Sequence, residues 1–158
     1  MLIPKADWER RMFTEFVVAS GLLVDPASII SRNPPEPDIA FTLGGQRHYA
    51  ELVEITDQDL ARRHSAAVKT GAITAGAFSQ VTPLVDAFQG KSQKTYQTGG
   101  APLMLLAYYD KQYPAESVDP GLIPREVGDI AAQMVASGVW KQVWVYDSWN
   151  KRVLWCHP

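Results

Sequence analysis

The run Pro102-Leu-Met-Leu-Leu-Ala-Tyr-Tyr109 is almost unbroken in its apolar character. It falls far short of the roughly 20 residues that a membrane-spanning helix needs. It also lacks the apolar/polar alternation of a strand with one wet face. The run therefore reads as a central β-strand covered on both sides. Such a strand needs partners along both edges and helical layers above and below, so the chain is expected to be an α/β protein with a mixed sheet flanked by helices.

The remaining segments fit that plan. Asp7 is placed to cap a first helix that runs to about Ser20, with Gly21 as its stop. At 100° per residue Trp8, Met12, Phe13, Phe16 and Val17 fill one half of that helix, and Glu9 falls in the middle of the same half. An inward carboxylate is costly unless something pairs with it, so Glu9 has either a structural partner or a place in a site. Residues 22–37 form a proline-rich connection. Pro37 fixes its own backbone angle and biases Glu36 to an extended form, which delivers Asp38 in a defined place. Ile39–Leu43 reads as a short strand, Gly44-Gly45 as a tight turn and Arg47–Thr56 as the returning strand. On the returning strand Leu52, Glu54 and Thr56 share one face and Glu51, Val53 and Ile55 the other. Val53 and Ile55 mark the packed side, which puts Glu51 near a strand end or edge.

Asp57 is placed to cap a helix through about Lys69, and residues 70–80 read as a loop. A further helix runs from Val81 or Pro83 to Thr98, carrying Leu84, Phe88, Lys91 and Thr95 on one face with Lys94 near its edge, and Gly99-Gly100 ends it. Pro124 opens a last helix with Val127, Ile130, Ala131, Met134 and Val135 on one stripe, and Gln142–Tyr146 and Arg152–Cys156 read as strands. Four of the five tryptophans crowd this C-terminal region. Trp140, Trp144 and Tyr146 are expected on one strand face, as packing, as a homodimer seam or as a site for a protein partner, ahead of stacking with nucleic-acid bases.

The length of 158 residues argues for one domain over 1–158. A net charge of -2 gives no general attraction to nucleic acid, so binding a polyanion would need a local basic patch or a bridging cation. A single cysteine, Cys156, rules out an internal disulfide framework, and the N-terminus lacks the order of a signal peptide, which makes a cytoplasmic location the expectation. Gly90-Lys91-Ser92 is not a phosphate-binding loop, because the upstream glycine that motif requires is Val85.

The chemistry concentrates in two acidic positions. Asp38 heads one strand and Glu54 lies on the next, and two carboxylates on neighbouring strands can share one hard cation. Pro37-Asp38 followed by Glu54-Ile55-Thr56 resembles the PD-(D/E)XK nuclease superfamily, the restriction-endonuclease-like fold, over roughly residues 5–110. Thr56 stands where that superfamily carries lysine. The resemblance then implies a lysine supplied from the following helix, with Lys91 first and Lys94 second. It implies Mg²⁺ or Mn²⁺ held by Asp38, Glu54 and the Ile55 carbonyl, with Lys91 stabilising the transition state and Glu9 orienting a water or Lys91. Glu51 is the alternative ligand if the register differs. Arg62, Arg63, Lys69 and Lys94 would hold a nucleic-acid backbone, DNA before RNA. The activity so implied is phosphodiester hydrolysis. The missing strand lysine, the acidic net charge and the Trp-rich hairpin favour a different class: a catalytically inactive adaptor or inhibitor on the same scaffold, serving a phage, a mobile element or a defence system.

Overall fold

A computed structural model describes residues 2–55, 82–110 and 123–158. The elements are α1 (Lys5–Ser20), a 3-10 turn at Pro26–Ser28, β1 (Ile30–Ser31), β2 (Ile39–Leu43), β3 (Gln46–Ile55), α2 (Thr82–Ser92), β4 (Leu103–Tyr109), α3 (Ile123–Ala136), β5 (Gln142–Asp147) and β6 (Arg152–His157). The six strands form one sheet in the order β1-β2-β3-β4-β5-β6. Strands β1 to β3 are antiparallel, β3, β4 and β5 are parallel, and β6 returns antiparallel to β5. The sheet is thus mixed and flanked by helices, as the sequence predicts. This architecture is compatible with restriction-endonuclease-like proteins without being specific to them.

The apolar run explains the layering. Every residue of β4 is buried, and alternate side chains serve opposite cores. Leu103, Leu105, Ala107 and Tyr109 pack with Leu84 and Phe88 of α2 and Val127, Ala131 and Met134 of α3. Met104, Leu106 and Tyr108 pack with Met12, Phe13, Phe16 and Val17 of α1. Burying each large apolar side chain stabilises the fold by about 1.5–3 kcal/mol, so β4 couples the two layers more than any other strand.

Several boundaries differ from the sequence reading, each for a local reason. The first helix begins at Lys5 because the Trp8 N–H donates to the Pro4 carbonyl at 3.0 Å; Asp7 therefore sits in the first turn and pairs with Arg10 instead of capping. The stop at Gly21 holds, with a left-handed φ of 73°. The turn at Gly44-Gly45 also holds, with φ of 60° and 74°. Helix α2 ends at Ser92, not Thr98, so Lys94 and Thr95 lie beyond it. The proline-rich connection contains a two-residue strand, β1, that has no sequence signature.

Both faces of β3 are packed. Glu51, expected near a strand end or edge, instead lies mid-strand and is 5% exposed. Trp140 does not join Trp144 and Tyr146. It precedes β5 and packs in the α2/α3 core, edge-on to Tyr96 at 5.7 Å, whereas the other two face α1. At the end of β5 the buried Asp147 accepts hydrogen bonds from the Trp149 and Asn150 backbone N–H groups, which shapes the turn into β6. Among the described residues no helix is long and apolar enough to cross a membrane.

Candidate functional site: an acid-lysine-tyrosine cleft

The segment before β2 is built to present Asp38. Arg32 donates two hydrogen bonds to the Glu36 carboxylate from Nε and one more, at 2.8 Å, from its terminal nitrogen. The Glu36 N–H closes a turn on the Asn33 carbonyl, and the Tyr49 hydroxyl donates to Glu36 Oε1 from β3. Arg32, through its hydrogen bond, holds the Glu36 carboxyl below its usual value. Beyond this turn Asp38 Oδ2 accepts the Leu52 N–H at 2.9 Å. The Asp38 N–H in turn donates to Glu51 Oε1 at 3.1 Å.

Glu51 is the centre of the arrangement. Its other oxygen, Oε2, accepts from Lys91 Nζ at 2.8 Å and from the Tyr96 hydroxyl at 2.8 Å. Both groups come from the α2 side of the sheet. Lys91 lies in the last turn of α2, and Tyr96 lies in the irregular segment after it. That segment is tied to the presenting turn by a Gln97 N–H to Pro35 carbonyl bond of 3.0 Å. A cleft of about 390 Å³ results, lined by Asp38, Glu51, Lys91, Tyr96, Lys94 and Lys5 among others.

Burial raises the Asp38 carboxyl above its ordinary pKa. The Leu52 N–H opposes that shift, and the neighbouring Glu9 carboxyl reinforces it. Burial also raises Glu51, against the pull of Lys91. Tyr96 is raised by burial and then by its bond to Glu51, so its hydroxyl stays protonated and donating.

These shifts have a signed consequence. A carboxyl whose folded pKa exceeds its unfolded value of about 4 binds protons more tightly when folded. Its contribution is complete below the unfolded value and fades as pH rises through the folded one. Asp38 and Glu51 therefore favour the fold more near pH 5 than near pH 7. In urea unfolding Asp38→Asn is expected to shrink the stability difference between about pH 5 and about pH 7. An unchanged difference would remove the assignment of Asp38 to this behaviour.

The structure brings Asp38, Glu51 and Lys91 together, with Glu9 beside Asp38. It does not place Glu54 with them. Glu54 pairs in register with Tyr108 on the face that packs against α1, and its charge raises the Tyr108 phenol after burial does. The Tyr108 hydroxyl accepts from Trp8 Nε1 at 3.2 Å. Glu54 and Lys91 thus do not share a face: successive strand residues alternate, and Lys91 meets Glu51 on the other side of the sheet. Ile55 is buried in the α2/α3 core at the end of β3. Arg62, Arg63, Lys69 and Thr56 lie outside the described residues. Tyr96 was not singled out by the sequence; an aromatic five positions past a helical lysine carries no signal of its own.

Among the described residues no group of three or more His, Cys, Asp or Glu side chains is arranged to hold a metal ion. The donors around Glu51 explain why its carboxylate does not fit one as it stands. Both oxygens already accept hydrogen bonds, one of them from an ammonium group, and a cation would have to displace Lys91 and Tyr96. Compared with models of known protein families, with curated proteins and with solved structures, the chain matches none of them.

Proposed function

We propose that this chain is a non-catalytic binding protein on a nuclease-type α/β scaffold, acting as an adaptor or inhibitor toward a protein partner. The observation that carries the proposal is the state of Glu51. Its carboxylate is consumed by three internal donors, so the acid-lysine pair works as a strut between β3, α2 and the segment after it. A partner-binding role also suits a surface with exposed apolar side chains. Val18, in the last turn of α1, and Leu23, just past its end, are 80% and 88% exposed.

The competing outcome is phosphodiester hydrolysis with Mg²⁺ or Mn²⁺ on Asp38 and a second acid. One experiment separates the two. Thermal melts with Mg²⁺ or Mn²⁺ up to about 10 mM, beside a cleavage assay on supercoiled and linear DNA, are expected to show no saturable shift and no cutting. An ion at about 100 times its dissociation constant would add about 2.7 kcal/mol of stability, well within detection. A saturable rise in Tm that disappears in Asp38→Ala, together with metal-dependent cleavage, would overturn the binding-protein reading.

A further inference from the structure

At the N-terminal ends of β4 and β5, on the side facing the end of α1, lies a second cavity of about 260 Å³. Leu22, Phe41, Leu43 and Met104 supply apolar wall, and His48 and Lys141 join the lining. The imidazole of His48 stacks on the Phe41 ring, with centroids 5.5 Å apart and planes 29° from parallel. The backbone N–H of Lys141 donates to the Leu103 carbonyl at 2.6 Å, which fixes the root of that side chain at the cavity.

The charges around this cavity are one-sided. Among the described residues no carboxylate lines it. Of the elements packed around His48, Lys141 is the charged side chain among the described residues that acts on its imidazole, and it comes from the turn before β5. Burial first, and the Lys141 charge second, hold the imidazole below its ordinary pKa. An anion placed between the two groups would offset the Lys141 charge and favour the imidazolium form of His48, and a carbon skeleton would cover the apolar wall.

We propose that this cavity binds a small organic carboxylate bearing a single compact apolar body, such as one aromatic ring on a short arm. The body lies against Phe41, Leu43 and Met104, and the carboxylate meets Lys141 and His48. The volume falls just below the roughly 300–1,000 Å³ of sites for drug-sized ligands, which selects one ring over two. The inference is independent of the acid-lysine cleft and of the function proposed for it.

The test uses the full chain with 3-phenylpropionate and its uncharged amide, followed by calorimetry and by NMR of the His48 ring. The carboxylate should saturate and move the His48 titration midpoint upward, because a bound anion favours the imidazolium. The amide should bind more weakly and leave the midpoint where it was. Lys141 is exposed, so Lys141→Met should fold normally, and it should weaken the carboxylate by about 3- to 5-fold while sparing the amide. Leu43→Trp, which fills the cavity, should abolish binding of both. Absence of a saturable His48 response, equal affinity for acid and amide, or unaltered carboxylate binding in Lys141→Met would each overturn the proposal.

Discussion

Lys91→Met is expected to lower the unfolding free energy by about 3–5 kcal/mol, because it strands the Glu51 carboxylate in a buried position without its cation. The Glu51 side chain is 7% exposed and that of Lys91 is 18% exposed. The loss is therefore asymmetric. In Glu51→Leu the ammonium can swing toward the cleft and water, whereas in Lys91→Met the carboxylate has nowhere to go. Two donors remain on Glu51, the Asp38 N–H and the Tyr96 hydroxyl, and they keep the loss toward the lower end of that range. The double variant Glu51→Leu/Lys91→Met should recover most of the stability, since an apolar pair of similar volume often replaces a buried ion pair at little net cost. A double-mutant cycle in urea is expected to give a coupling of about 2–3 kcal/mol. Additive losses, with no recovery in the double variant, would mean that Lys91 and Glu51 do not form the strut.

The same pair shows which links from sequence to structure were open to reading. The central strand β4 was legible because a continuous apolar run admits few alternatives. Helix α1 was legible through its period, including the inward Glu9. The choice between Glu51 and Glu54 was also legible in principle. A two-residue turn at Gly44-Gly45 sets Leu43 opposite Gln46 and Ile39 opposite Ala50, and one more step along the hairpin brings Asp38 level with Glu51. Matching the spacing of a nuclease triplet points instead to Glu54, because a spacing match leaves strand alternation, and so the face a residue occupies, out of account. The end of α2 was not legible. Residues 93–98 have no strong breaker before Gly99, and what draws them off the helix is tertiary: the Tyr96 bond to Glu51 and the Gln97 bond to Pro35. Strand β1 was hidden for the opposite reason, since two residues are too few to display a period. Trp140 departs from the strand pattern because alternation holds only within β5, which begins two residues later at Gln142.

The other large effect comes from the opposite face of the sheet, where α1 is anchored by aromatic packing. Phe16 is fully buried, 5.9 Å from Phe13, and meets Trp144 and Tyr146 edge-on at 5.2 and 5.8 Å. Phe16→Ala removes that contact and leaves a cavity, a change that costs about 3–5 kcal/mol in a packed core. The rings lining the cavity carry Trp144 Nε1 and the Tyr146 hydroxyl, which have no hydrogen-bond partner among the described residues. Water entering the space would find polar groups to bind, so the cost should fall in the lower half of the range. The effect should reach the cleft through α1, because the same helix carries Glu9 beside Asp38. Phe16→Leu, which refills most of the volume, should cost much less and leave α1 amides protected. Hydrogen exchange is the deciding measurement: in Phe16→Ala the α1 amides should exchange faster than those of β4, because α1 loses its anchor while β4 keeps its second core. Equal acceleration of α1 and β4 would mean that the helix and the central strand open only together, and Phe16 would then act as part of one undivided core.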